Sequence, residues 1–203
     1  MHIFFHGPEI NPMMRFSYGV LSALLIATLF LVGCDDTGTG TEDIIPIGTD
    51  VDPVEFEFEF EPFSADDVTD GTLILTSTNS DDLGSQIREF VGRSRGDVVG
   101  ARIRSVQLER LTGNFSVQPK VFSYLGSARV YYGANTDAQP VAERRPISDE
   151  PEITLDLLQD DITSIVQSGS RPLTLELEVN DPSLIGTGDD VEITVSYRIE
   201  VRG

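Results

Sequence analysis

The last stretch of the chain constrains its fold more than any other. Val191, Ile193, Val195, Tyr197, Ile199 and Val201 alternate with Glu192, Thr194, Ser196, Arg198 and Glu200. A period of two gives a β-strand one apolar and one polar face, whereas a helix would scatter the same residues around its axis. The pattern recurs from Val54 to Phe60, where Phe56, Phe58 and Phe60 share one face and Glu55, Glu57 and Glu59 the other. It recurs again in Leu173, Leu175, Leu177 and Val179, in Ile153, Leu155 and Leu157, and in Ala128, Val130 and Tyr132. Thr72 to Thr76 is a shorter strand with Leu73 and Leu75 on one side and Ile74 on the other. Ala101 and Ile103 set one phase and Val106 and Leu108 the opposite one, so the slip at Arg104-Ser105 reads as a β-bulge or a strand break.

Two segments change period. Leu83, Ile87, Phe90 and Val91 form a one-sided helical stripe, with Asp81 or Asp82 as a cap and Gly92 near the end. Leu158, Ile162, Ile165 and Val166 mark a second, shorter helix ending near Gly169. Turn residues such as Asn114, Asn135-Thr136-Asp137 and Asn180-Asp181-Pro182 separate the strands. Strands with one wet face belong to antiparallel sheets, and two such sheets bury their apolar faces by stacking. The expected fold is therefore mainly β: an antiparallel β-sandwich of seven or eight strands, with two short helices in its connections. The alternative is an α+β domain whose helices cover one antiparallel sheet.

The first residues have a different layout. Arg15 precedes a nearly unbroken apolar run from Phe16 to Val32, which is followed by Gly33, Cys34 and then Asp35 and Asp36. A charged start, an apolar core and a small residue before a cut are the marks of an export signal. Leu31-Val32-Gly33-Cys34 resembles the lipobox of bacterial lipoprotein signal peptides. That resemblance implies transfer of diacylglycerol to the Cys34 thiol, cleavage after Gly33 and N-acylation of the new amino terminus, with the bilayer as a partner through Cys34. It concerns residues 13 to 34 alone, and the true start is expected at Met13 or Met14. Residues 1–33 are then the signal peptide, 34–53 a lipidated, flexible acidic tether rich in Gly, Thr and Asp, and 54–203 a single globular β-rich domain. A domain of that size buries enough surface to be stable without disulfides, and the one cysteine is committed to lipid.

Charge narrows the partners. The chain carries a formal net charge of -20, and losing Glu9 and Arg15 with the signal leaves it unchanged. Phosphate backbones would be repelled over most of such a surface, so nucleic acid is not an expected partner. A surplus of this kind keeps a domain solvated and suits a high-salt medium, where screening removes the self-repulsion. The cations Arg88, Arg93, Arg95, Arg102, Arg104 and Arg110 cluster in sequence. Pairing with carboxylates accounts for them, as does contact with anionic lipid or an acidic partner.

Chemistry is sparse. His2 and His6 leave with the signal, the chain has no Trp, and its one thiol is the lipidation site. Histidine triads, cysteine nucleophiles and histidine zinc sites are thereby excluded. No dinucleotide or phosphate-loop motif and no nucleophile elbow occurs. The acid pairs Asp66-Asp67, Asp81-Asp82, Asp160-Asp161 and Asp189-Asp190 leave glycoside hydrolysis as the residual enzymatic reading. The loop Ile185 to Asp190 offers Asp189 and Asp190 as calcium ligands, though without the spacing of a recognised calcium loop.

These residues predict a membrane-anchored envelope lipoprotein with a non-catalytic structural or protein-interaction domain, meeting other envelope proteins. The alternative is an extracellular ligand, glycan or calcium-dependent binding module that uses Tyr124, Tyr131 and Tyr132, one of the adjacent pair being exposed. The tether acids Asp36, Glu42, Asp43, Asp50 and Asp52 favour outer-membrane attachment, on the periplasmic or cell-surface side. Asp35 directly after the cysteine keeps the periplasmic face of the inner membrane as the alternative.

Overall fold

A computed structural model describes residues 43–49, 53–111 and 121–203. Cys34, the signal, Met13, Met14 and Asn114 lie outside the described residues, as does most of the tether.

Among the described residues ten strands form two antiparallel sheets of five. In chain order they are β1 (Ile44–Ile47), β2 (Val54–Glu59), β3 (Thr72–Thr76), β4 (Val98–Arg110) and β5 (Leu125–Tyr132), followed by β6 (Ala142–Arg144), β7 (Glu152–Thr154), β8 (Asp156–Leu157), β9 (Leu173–Val179) and β10 (Val191–Arg202). The first sheet is built around β10, which pairs with β4 along one edge and with β1 and β2 in tandem along the other. β7 completes it beyond β4. The second sheet runs β3-β9-β5-β6-β8. The expected β-sandwich is what the chain forms, with more strands than the sequence pattern resolved.

One core lies between the sheets. Phe58, Val106, Leu108, Ile193 and Val195 enter it from the first sheet, and Leu73, Ala128, Val130, Leu175 and Leu177 from the second. Burying a side chain of the size of Phe or Leu contributes about 1.5–3 kcal/mol. Two contacts cross the layers directly. The Phe58 ring meets Tyr132 edge-on at 6.4 Å, and the Tyr132 and Tyr197 hydroxyls share a 2.6 Å hydrogen bond.

Both sides of the sandwich are stitched. At Leu155, whose N–H donates to the Val106 carbonyl, the chain leaves β7 in the first sheet and enters β8 in the second. On the opposite side Phe60 bridges Ser77. There Asn79 donates to the Glu57 carbonyl at 2.8 Å and accepts the Glu59 N–H at 3.1 Å. β3 is a short, uncharged edge, and Thr69, bonded both ways to Thr72, covers one end of it. Such cover protects an edge that would otherwise template pairing with another chain.

Four local outcomes bear on the sequence reading. Ser105 pairs with Ser196 and Ile103 with Tyr197, so Arg104 is the extra residue of a β-bulge, as the phase slip predicts. Ile44 to Ile47, read as tether, are instead β1: Ile47 is buried, and Pro46 suits an edge strand. Gly48 then turns the chain into β2 at φ 75°, where a Cβ would lie 2.9 Å from the Tyr197 carbonyl oxygen. Helix α1 (Leu83–Val91) buries Leu83 and Ile87 and ends at Gly92 in the left-handed region. Its stripe continues through half-buried Val91, four residues beyond Ile87, and leaves Phe90 65 % exposed on the flank. Neither aspartate caps α1 through its side chain: Asp82 holds the cap position without that bond, and Asp81 is buried. Helix α2 (Thr163–Ser168) is held to β4 by the Ala101 N–H donating to Thr163 Oγ1 and by Gln167 donating to the Val98 carbonyl.

Candidate functional site

The aromatic and acidic residues proposed as contacts are drawn into the domain's own bonding. Tyr124 is fully buried under the Arg110 guanidinium, which stands 4.7 Å from its ring centroid. Tyr132 is buried in the core against Tyr197. Tyr131 does point to the opposite face, as a strand requires, yet it is only 6 % exposed. Its hydroxyl donates to Glu176 at 3.1 Å beside Arg129, which bridges Glu143 and Glu176. The Gly133 carbonyl accepts the Thr174 hydroxyl next to it. Neither tyrosine of the adjacent pair is therefore exposed. Burial raises the pKa of all three above the usual phenol value, helped at Tyr124 by Asp189 and at Tyr131 by Glu176.

Asp189 turns into the domain. It is fully buried, and its carboxylate pairs with Arg110 and accepts the Gly186 N–H, while its backbone bonds to Phe63 in both directions. Asp190 is half-buried beside it. Among the described residues no three His, Cys, Asp or Glu side chains converge to hold a metal ion. A second internal pair joins Asp81 to Arg95, whose guanidinium also donates to the Val166 and Gly169 carbonyls at the end of α2. Two of the six clustered arginines are thus partners of buried aspartates, Arg110 itself buried and Arg95 half-buried. Arg102 stands 3.8 Å from Asp160 at the surface.

The outer face of the first sheet carries charge in two blocks. Across four strands Glu59 pairs with Glu192, Glu192 with Glu109 and Glu109 with Glu152, and Glu57 and Glu55 follow on β2. Beyond the Arg104 bulge the sign reverses. Arg198 pairs with Arg102, Glu200 with Gly100 and Pro46, and Arg202 with Ile44. Because the bulge adds a residue to β4, Arg104 and Ser105 both reach this face, and β10 and β4 deliver Arg102, Arg104 and Arg198 to one depression of about 270 Å³. Gly100 floors it: a Cβ there would lie 3.0 Å from the Glu200 carboxylate. Alternation places these arginines on a wet face, but sequence alone does not put β4 and β10 side by side in this register.

Like charges directly opposite on a sheet are destabilising. Burial, then Glu57, Glu109, Glu59 and Asp190, hold the Glu192 carboxyl above its usual pKa. A carboxylate raised in this way contributes stability below its unfolded pKa and loses it as pH rises through the folded value. Replacing Glu192 with Gln is therefore expected to stabilise the domain at neutral pH and low salt. The gain should be a few tenths of a kcal/mol, since screening discounts an exposed row. Melts at neutral and acid pH check this: the gain should vanish in acid and in strong salt, and a gain that persists in acid would show that packing, not charge, causes it.

No protein-family description matches the chain, and no curated protein matches it.

Proposed function

We propose that this is a lipid-anchored envelope protein whose β-sandwich is a non-catalytic interaction module. The observation that carries the proposal is Leu31-Val32-Gly33-Cys34 at the end of an apolar run. Acyl chains on Cys34 would anchor the protein durably, since two or more chains hold where one does not. The internal use of Asp81, Asp189 and the three tyrosines supports a stabilising rather than a catalytic role for them. The bilayer is one partner, other envelope proteins are the second, and the outer membrane is the proposed site.

Replacing Cys34 with Ser is expected to release the domain from the membrane fraction or to leave an uncleaved precursor, heavier by the retained signal. A Cys34→Ser protein that stays membrane-bound at the mature size would overturn the anchor. Separating the two membranes on a density gradient tests the location, and banding with the inner membrane refutes it. Protease applied to intact cells then distinguishes a surface domain, which is shaved, from a periplasmic one.

A further inference from the structure

We infer that the groove between α1, the end of β1 and the start of β2 is a docking site for a basic, apolar segment of a partner protein, one that sets arginine or lysine among aliphatic residues. The inference rests on the interaction-module reading above and names the chemistry of the partner. Three observations carry it.

The first is shape. The groove has a volume of about 590 Å³, within the roughly 300–1,000 Å³ that ligand sites occupy. Buried Ile47 and half-buried Val54 and Val91 give it an apolar lining, and Phe90, 65 % exposed, stands beside them. Phe90 is the residue of the helical stripe that the core does not take up, so its ring carries the apolar lining out to the rim. An exposed apolar patch with a polar border marks an interaction surface.

The second is charge. Among the described residues lining the groove, the ionisable side chains are two carboxylates, Glu55 on β2 and Glu89 on α1. Neither is in an ion pair among the described residues, and Glu55 accepts the Ser196 hydroxyl at 3.3 Å. Arg88 turns to the other side of the helix, where it lines a depression with Asp82, and Arg198 stands in the depression with Arg102 and Arg104. A guanidinium suits both features of the groove: its aliphatic stem covers apolar surface, its plane stacks on an aromatic ring and its donors meet carboxylates. The net charge of -20 draws such a segment toward the domain from a distance.

The third is that the sheet edges are closed to an added strand. Thr69 and the Phe60 bridge to Ser77 hold the two ends of β3, Pro46 interrupts the donors of β1, and Asn79 takes Glu57 and Glu59 on β2. β7 and β8 are three and two residues long. An extended partner therefore finds its foothold in the groove rather than along an edge.

The probe is an acetylated, amidated pentapeptide, Leu-Arg-Leu-Arg-Leu, titrated into the isotope-labelled full chain in zwitterionic detergent. Saturable amide shifts are expected at residues 47–48, 54–55 and 86–91. The same peptide with citrulline for arginine keeps the shape and loses the charge, and should bind about tenfold more weakly. Phe90→Ala should weaken the arginine peptide on the order of tenfold, and Glu55→Gln with Glu89→Gln by as much, without moving the melting midpoint by more than a few degrees. Glu109→Gln with Glu152→Gln removes the same charge from the acidic row and should change the affinity by no more than about twofold. Equal losses from the two pairs, or shifts confined to the acidic row, would show attraction to the surface as a whole and overturn the groove. Equal binding of the citrulline peptide would overturn the basic partner, and the absence of any saturable shift would overturn both. Photoreactive side chains at Phe90 and at exposed Ile74 then test the module in cells. Cross-links from position 90 to an arginine- or lysine-bearing segment support the proposal. Cross-links from position 74 alone leave the interaction module standing and the groove wrong. Peptide binding with no cross-link at either position keeps the groove and removes the envelope-protein reading.

Discussion

Asp189→Ala is expected to cost about 3–5 kcal/mol, because it removes one partner of a fully buried ion pair and leaves the other charge in the core. For a domain of this size that is a fall of roughly 10 °C in melting midpoint. Arg110 has no exit: it is 7 % exposed, lies over the Tyr124 ring and donates to the Val121 carbonyl. The same aspartate receives the Gly186 N–H, so the Ile185 to Asp190 loop loosens with it. Asp189→Asn keeps a hydrogen-bond acceptor but not the charge and should fall between. The double replacement Arg110→Met with Asp189→Leu should recover much of the loss, since apolar pairs of similar volume often match a buried ion pair. The cycle of single and double variants, read by urea midpoints, isolates the coupling. An Asp189→Ala protein within 1 kcal/mol of the parent would mean that water reaches the pair.

The signal for this pair was present in the chain but is visible only once the phase is followed past the apolar residues. Arg110 continues the inward phase of Val106 and Leu108, and Asp189 extends the inward phase of Val191 and Ile193 backwards. A charged residue in phase with a core face is either the end of a strand or one of a buried pair, and pairing β4 with β10 brings the two together. The strands themselves were legible where six or more residues alternate, as in β10, β9 and β2. The bulge at Arg104 was legible as a phase slip. The shorter pieces were not: β1 has four residues, β8 only two, and β7 and β8 lie in different sheets on either side of Leu155. Period two marks which side of a strand is apolar but says nothing of which sheet the strand joins. The tyrosines failed for a related reason, since alternation gives the face of Tyr131 but not the Glu176 carboxylate that takes its hydroxyl.

The fate of the cations follows the same division. Arg95 and Arg110 lie close in sequence to Arg102 and Arg104, yet the first two are drawn inward by aspartates far along the chain or across helix α1. The bulge leaves the second two on a wet face with Arg198. Composition records only a deficit of positive charge. Register decides which of them meet: Arg102 and Arg198 stand side by side on the first sheet, while Arg129 is bridged to Glu143 and Glu176 on the second.

Asp81→Ala is expected to cost about 3 kcal/mol, because it takes the partner from a half-buried Arg95 and the acceptor from the Arg171 N–H, and the damage has a different geography. Asp81 is 2 % exposed, and its carboxylate holds Arg95 and the Arg171 N–H, while its backbone exchanges bonds with Arg171, Arg95 and Ser170. It thereby joins the segment entering α1, the turn before β4 and the segment from α2 to β9. Loss of the carboxylate should speed amide exchange in α1, in α2 and at the start of β9, while the central amides of β4 and β10 exchange only with global unfolding. Uniform acceleration across all strands would refute a local latch. Gly84→Ala probes the same contact without touching either charge. An alanine in a helix ordinarily gains up to about 1 kcal/mol over glycine. Here its Cβ would lie 2.7 Å from Arg95 Nε, on a side chain pinned by the Asp81, Val166 and Gly169 oxygens, so the sign should reverse. In an Arg95→Ala background the ordinary gain should return. Stabilisation by Gly84→Ala in both backgrounds would show that Arg95 is free to move, and the latch would then owe its strength to the Arg171 and Ser170 bonds alone.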